Sequence, residues 1–213
     1  MIKAAIFDMD GVLVDTHEMH IQAFYDVAKE AGIEIAKEEE SESAGVSDFV
    51  FLQGVLDRRS IQLDVDNLAE KKRERVREIF SEGNIPLREG IEELLSELKK
   101  KGLGIAIATS SSRDIANYIL DKTNLISKVD VVVTVDDVEK GKPYPDIFLL
   151  AAEKLGALPE ESFVIEDAEA GVEAAKAAKM FCVGKDNNTK QDLSKADIVI
   201  TSLKEFSLEK LPS

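Results

Sequence analysis

Residues 2–7 form a short apolar run, broken only by Lys3, that stops abruptly at Asp8-Met9-Asp10-Gly11. A run of this length and composition reads as a buried strand, and a glycine just beyond it lets the backbone turn at once. In extended chain, residues two apart point to one side, so Asp8 and Asp10 are expected to share a face at the strand's carboxyl end. That is where ligands bind in open α/β sheets. Two unpaired carboxylates there repel each other, so the pair makes sense with a cation between them or a proton on one. Taken alone, the same residues also fit an aspartate-rich turn that caps the next helix.

The rest of the chain divides by periodicity. Ile21, Phe24, Tyr25 and Ala28 fall at helical spacing, and Gly32 can end that helix. An acidic piece follows at 37–42, then Gly45-Val46-Ser47, a second apolar stripe over 49–56, and a charged helix over 68–80 with Val76, Ile79 and Phe80 as its seam. No strand pattern is present between Thr16 and Asn84, so this block reads as a small helical insert. From Pro86 onward, strand-like runs at 103–108, 129–135, 163–165, 180–183 and 198–200 alternate with helical segments. Alternation of this kind predicts a parallel sheet with helices on both faces. The expected fold is therefore α/β: a Rossmann-like core of residues 1–15 and 86–213 with a helical-bundle insert at 16–85.

Composition narrows the function. The chain has 213 residues, is 44% hydrophobic and carries a formal charge of −15, which argues against nucleic acid as a partner. An anionic substrate would need local positive groups, because the global field repels it. The single cysteine, Cys182, lies in an apolar run and reads as buried filler. No stretch reaches the roughly 18 apolar residues needed to span a bilayer. The apolar start is only six residues long and carries Lys3, unlike a secretory signal, so a cytoplasmic protein without a membrane partner is expected. Oligomeric state leaves no trace in the sequence.

Three later stretches bear on Asp8 and Asp10. The strand ending at Ala108 runs into Thr109-Ser110-Ser111-Ser112-Arg113, where hydroxyls and free N–H groups at a helix start make a phosphate cradle or a simple N-cap. Lys142 stands before Pro143 and opens the next helix, either as a point cation for the site or as a solvated loop lysine. The strand at 163–165 ends in Glu166-Asp167, again an acid pair at a carboxyl end or a helix cap. Together, an acid pair, hydroxyls, a lysine and a second acid pair at four strand ends point to a magnesium and phosphate centre.

The order Asp-x-Asp-Gly-Val, Thr-Ser, Lys-Pro-x-Pro-Asp and Glu-Asp-x-x-x-Gly resembles the haloacid dehalogenase superfamily of phosphohydrolases. The helical insert resembles the cap of the subgroup that contains β-phosphoglucomutase and sugar-phosphate phosphatases. The resemblance implies that Asp8 is the nucleophile and forms an aspartyl phosphate, while Asp10 is the acid and base. It implies that Thr109, Ser110 and Ser111 hold the phosphoryl group and that Lys142 pairs with Asp8 and phosphate. It further implies Mg²⁺ on Asp8, the backbone carbonyl of Asp10 and Asp167, with Glu166 close by. His20, in Asp-Thr-x-x-x-His, and the loop Gly45-Val46-Ser47 are expected to face substrate from the cap.

Departures from the family pattern bear on the substrate. The mutase loop resembles Lys-Gly-Val-Ser-Arg, but this chain has Ala44 and Asp48 at the flanks. Ser112 takes the place of a core-loop lysine, with Arg113 one residue later as a possible substitute, and Ala168 replaces a common serine. The expected activity is Mg²⁺-dependent hydrolysis of a small phosphorylated metabolite, a sugar phosphate. β-Phosphoglucomutase is the alternative, and a non-catalytic phosphate-binding protein on the same fold is a third reading.

Overall fold

Strand β1 (Ala4–Phe7) is completely buried, as its apolar sequence requires, and lies inside a six-stranded sheet of the computed structural model, which describes residues 1–212. The other strands are β2 (Gly104–Thr109), β3 (Val131–Thr134), β4 (Ser162–Glu166), β5 (Phe181–Lys185) and β6 (Ile198–Ile200). All pair in parallel, in the order β3-β2-β1-β4-β5-β6. The order reverses direction at β1, so the loops leaving β1, β2 and β4 open a crevice at their carboxyl ends.

Alternation along the strands divides the core. Ala5, Phe7, Ile105, Ile107, Phe163 and Ile165 pack on one face with the buried stripes of α4 (Ile91–Lys100) and α5 (Arg113–Lys122). Ile6, Ala106, Ala108, Val164 and Cys182 pack on the other with α6 (Asp146–Lys154) and α7 (Glu169–Ala177). Cys182 is the buried filler its neighbours suggested. Two strands run further than the sequence pattern indicated: β2 reaches Thr109 and β4 reaches Glu166, so both polar residues close a strand instead of opening a loop.

Helices α1 (His17–Glu30), α2 (Asp48–Arg59) and α3 (Val65–Glu82) fill the stretch without strands. Ser47 caps α2 and Asp64 caps α3 through their side-chain oxygens. Phe24, Val27, Phe51, Leu52, Val55, Leu56 and Leu68 form a cluster of their own between these helices. The acidic run turns as a 3₁₀ helix, Lys37–Ser43, and its Glu39 is bonded by both Arg58 and Arg59 of α2. The chain leaves and re-enters the sheet side by side: the Asp15 N–H donates to the Pro86 carbonyl at 2.8 Å, and the Arg88 N–H to that of Leu13 at 2.9 Å. Among the described residues, no helix is long and apolar enough to cross a membrane.

Helix α3 is shared. Leu68 belongs to the helical cluster, whereas Val76 and Phe80 reach the core of the sheet. Phe80 is 1% exposed, stacks on Tyr118 of α5 and meets the His20 ring edge-on at 5.6 Å. Phe80→Ala is expected to lower unfolding free energy by about 3–5 kcal/mol, read by urea titration. A loss under about 1 kcal/mol would mean that α3 is not anchored there.

Candidate active site

Lys142 is the centre of the crevice. Its ammonium is 2.5 Å from Asp8 Oδ1, 2.7 Å from Glu166 Oε1 and 3.0 Å from the Ala108 carbonyl, so all three protons have acceptors. The side chain is fully buried over the Phe148 ring. Burial alone would lower its pKa, but the charges of Asp8 and Glu166 raise it above the ordinary lysine value, and the cation persists. Glu166 accepts the Ala168 N–H on its other oxygen. It can lie this close only because residue 171 is glycine: a Cβ there would stand 1.8 Å from Glu166 Oε1.

Asp8, Asp10 and Asp167 line one cleft of about 70 Å³. Burial, then Glu166, Asp167 and Asp10, push the Asp8 carboxyl well above its usual range, against the pull of Lys142. Burial and Glu166 likewise push Asp167 up to about 7. One ammonium therefore faces more carboxylate charge than it offsets. Asp10 goes the other way: burial would raise it, but His20 and hydroxyl bonds from Thr16 (2.6 Å) and Ser111 (2.9 Å) hold it below the usual range. Gly11, at φ +89°, brings the backbone against Asp167, where a Cβ would lie 2.0 Å from Oδ2.

These contacts leave one oxygen each on Asp8 and Asp167 without a protein donor among the described residues. Two carboxylates are oxygen ligands that suit Mg²⁺, which commonly uses one or two protein carboxylates and keeps the rest of its shell for water and phosphate. Among the described residues, no group of three acidic, His or Cys side chains forms a metal cage. Glu166, expected near the metal, has both oxygens committed to Lys142 and the Ala168 N–H. Its contacts in this structure support Lys142.

The opposite wall comes from α1–α3. Ala44, Gly45 and Val46 line the cleft, and Ser110 Oγ donates to the Gly45 carbonyl at 2.7 Å. Thr109 Oγ1 accepts the Ser111 N–H at 3.0 Å. His20 lies with Nε2 3.3 Å from Asp10 Oδ1, off the line of a hydrogen bond. Its Nδ1 receives Lys72 at 2.7 Å, which leaves the ring proton on the side of Asp10. Lys72 also bonds Asp48 Oδ1 at 2.7 Å and lies over the Phe24 ring.

Two expectations are corrected. Ser47 does not line the cleft, because its hydroxyl caps α2. Arg113 is also outside: its guanidinium pairs with Asp137 and its N–H donates to Asp136. Lys72 was missed among the many charges of α3. Its signal was positional, since Leu68, Lys72, Val76 and Phe80 recur every four residues on the buried stripe.

A parallel sheet with acidic, hydroxyl and lysine groups converging at its carboxyl ends defines an α/β, Rossmann-like fold of the haloacid dehalogenase type. The chain belongs to the haloacid dehalogenase-like hydrolase family, whose sequence model matches residues 5–185, and it is a phosphohydrolase of that type. It is 35% identical over 177 residues to a phosphorylated carbohydrates phosphatase of Thermotoga maritima, covering 83% of this chain and 82% of that one. It is 33% identical over 219 residues to the β-phosphoglucomutase of Bacillus subtilis, covering 99% and 94%. The crystal structure of a β-phosphoglucomutase from Clostridium difficile superposes with a TM-score of 0.89 at 30% identity, covering 98% of this chain and 95% of that one.

Alanine at a helical position ordinarily outperforms glycine by up to about 1 kcal/mol. Gly171→Ala should do the reverse here, displacing Glu166 and with it Lys142. The expected result is a lower melting temperature and a kcat loss on the order of 10²-fold. A variant as stable and active as wild type would contradict the close approach.

Proposed function

We propose that this protein is a Mg²⁺-dependent phosphatase that hydrolyses a small phosphate monoester, a sugar phosphate, through an aspartyl phosphate on Asp8. Residues 1–15 and 86–213 act as the catalytic core and 16–85 as a cap. The free oxygen of Asp8 attacks phosphorus while Lys142 holds the other oxygen in place. Thr109, Ser110 and Ser111 line the path of the phosphoryl group. Asp10 delivers a proton to the leaving oxygen and later takes one from the water that attacks the acyl phosphate. Its bonds from Thr16 and Ser111 favour the ionised form, which suits the second step. Asp8, Asp167 and the Asp10 carbonyl would hold Mg²⁺, whose charge lets a carboxylate meet a phosphate dianion.

The cap must swing away to admit a sugar phosphate, because about 70 Å³ is far below the roughly 300 Å³ of a small-molecule pocket. The Ser110–Gly45 bond and the Arg77–Asp114 ion pair would open with it.

One observation carries phosphatase over mutase. A mutase must hold a bisphosphate and so needs a second anion site. Apart from Lys142, fully buried beneath Asp8, Lys72 is the one Lys or Arg among the residues lining the cleft, and Asp48 already matches its charge. Arg58 and Arg59 pair with Glu39, and Arg113 with Asp137. That leaves an electrically balanced cap wall, suited to the hydroxyls of a leaving group. The mutase reading keeps one observation in its favour, the presence of a cap lysine in the cleft at all.

The deciding assay incubates the enzyme with β-glucose 1-phosphate and catalytic glucose 1,6-bisphosphate in Mg²⁺ and follows both products. Inorganic phosphate should accumulate with little glucose 6-phosphate, and EDTA should abolish turnover until Mg²⁺ is restored. Glucose 6-phosphate forming much faster than phosphate would establish the mutase instead, and full activity in excess EDTA would remove the metal.

A further inference from the structure

At the end of β5, outside the cleft, Lys185 is 6% exposed and makes no ion pair with a carboxylate among the described residues. Its ammonium donates to the Asp186 carbonyl at 3.0 Å and to Asn187 Oδ1 at 2.7 Å. A buried cation that spends its protons on neutral oxygens is costly to fold, so its contacts call for a reason. The reason lies one residue further along. The Asn187 amide nitrogen donates to Asp167 Oδ2 at 2.9 Å and to the Gly11 carbonyl at 2.9 Å.

We propose that Lys185 is a positioning residue for Asp167, acting by locking the Asn187 amide in one orientation. Turned over, that amide would set its oxygen against a carboxylate and a carbonyl, and its N–H groups against an ammonium. Every contact would then be repulsive. With Lys185 in place, the amide holds Asp167 Oδ2 on one side and the loop that carries the Asp10 backbone on the other. The second Asp167 oxygen is left facing the cleft without a protein donor. A single asparagine thus sets the spacing between two groups assigned above to Mg²⁺, and the inference rests on that assignment. Partners that fix a ligating carboxylate commonly change metal affinity by about 10–100-fold when removed.

The experiment titrates Mg²⁺ into metal-free protein by calorimetry, for wild type, Asp167→Asn, Lys185→Met, Asn187→Leu and the Lys185→Met/Asn187→Leu double variant. Each variant is first checked for a cooperative thermal transition, with Asn187→Ser replacing Asn187→Leu if the latter lacks one. Lys185→Met and Asn187→Leu should each weaken Mg²⁺ binding about tenfold. The double variant should be no weaker than the poorer single one, because both act through one amide. At saturating Mg²⁺, KM for a phosphate monoester should stay near wild type, which general disorder at the site would not allow. If Asp167→Asn loses Mg²⁺ while Lys185→Met binds it like wild type, or if the two losses multiply, the inference is overturned and the metal assignment stands. If Asp167→Asn binds Mg²⁺ unchanged, the metal assignment itself fails and the inference falls with it.

Discussion

The contact between Lys142 and the two carboxylates of Asp8 and Glu166 organises this molecule, and it is an expensive one. Three charged groups are taken from water to the carboxyl end of a sheet buried on both faces. Desolvating charges costs several kcal/mol each, and an apolar trio of the same volume would often fold as well or better. The cost makes sense as chemistry. With one ammonium among four acids, the cluster retains a surplus of negative charge in a buried cleft, the condition under which a divalent cation is drawn in. The surrounding glycines follow from the same demand, since Gly11 and Gly171 let backbone and carboxylates approach where no Cβ would fit.

Much of this could be read from the sequence because the groups stand where strand periodicity ends. Asp8, Asp10, Thr109, Lys142 and Asp167 each follow or close an apolar run or open a helix, and a sheet of alternating α and β elements brings such positions to one crevice. The helical insert was equally legible from the want of any strand pattern between Thr16 and Asn84. What failed were inferences about what an individual side chain touches. That Glu166 would bond Lys142 could not be read, because the Ala168 N–H and the gap at Gly171 that let it approach are facts of tertiary contact. Arg113 looked like a substitute for a missing lysine, but its first turn leads it to Asp137. Asn187 is one polar residue in a polar loop, and nothing local marks it.

Asp48 shows how a correct residue can carry an incomplete argument. By itself it is a charge reversal at a position where the mutase-like loop has arginine, which would repel a second phosphate. In the structure it has a partner, Lys72, drawn onto the apolar face of α3 and shielded by Phe24. The wall formed by α1–α3 is therefore neutral, not repulsive. On the proposed phosphatase reading, selection against a second phosphate would then come from the lack of an unmatched cation, a milder discrimination that would leave hydroxyl-rich leaving groups well served.

The central claim is that the phosphoryl group passes through Asp8, and trapping it there is the most direct test. Enzyme mixed with ³²P-labelled sugar phosphate is acid-quenched during the first turnover, reduced with borohydride and mapped by peptide mass spectrometry. The account predicts protein-bound label that borohydride removes, with the acyl phosphate converted to an alcohol at position 8 and nowhere else. Phosphate released without any protein-bound label, or label carried by another residue, would contradict it.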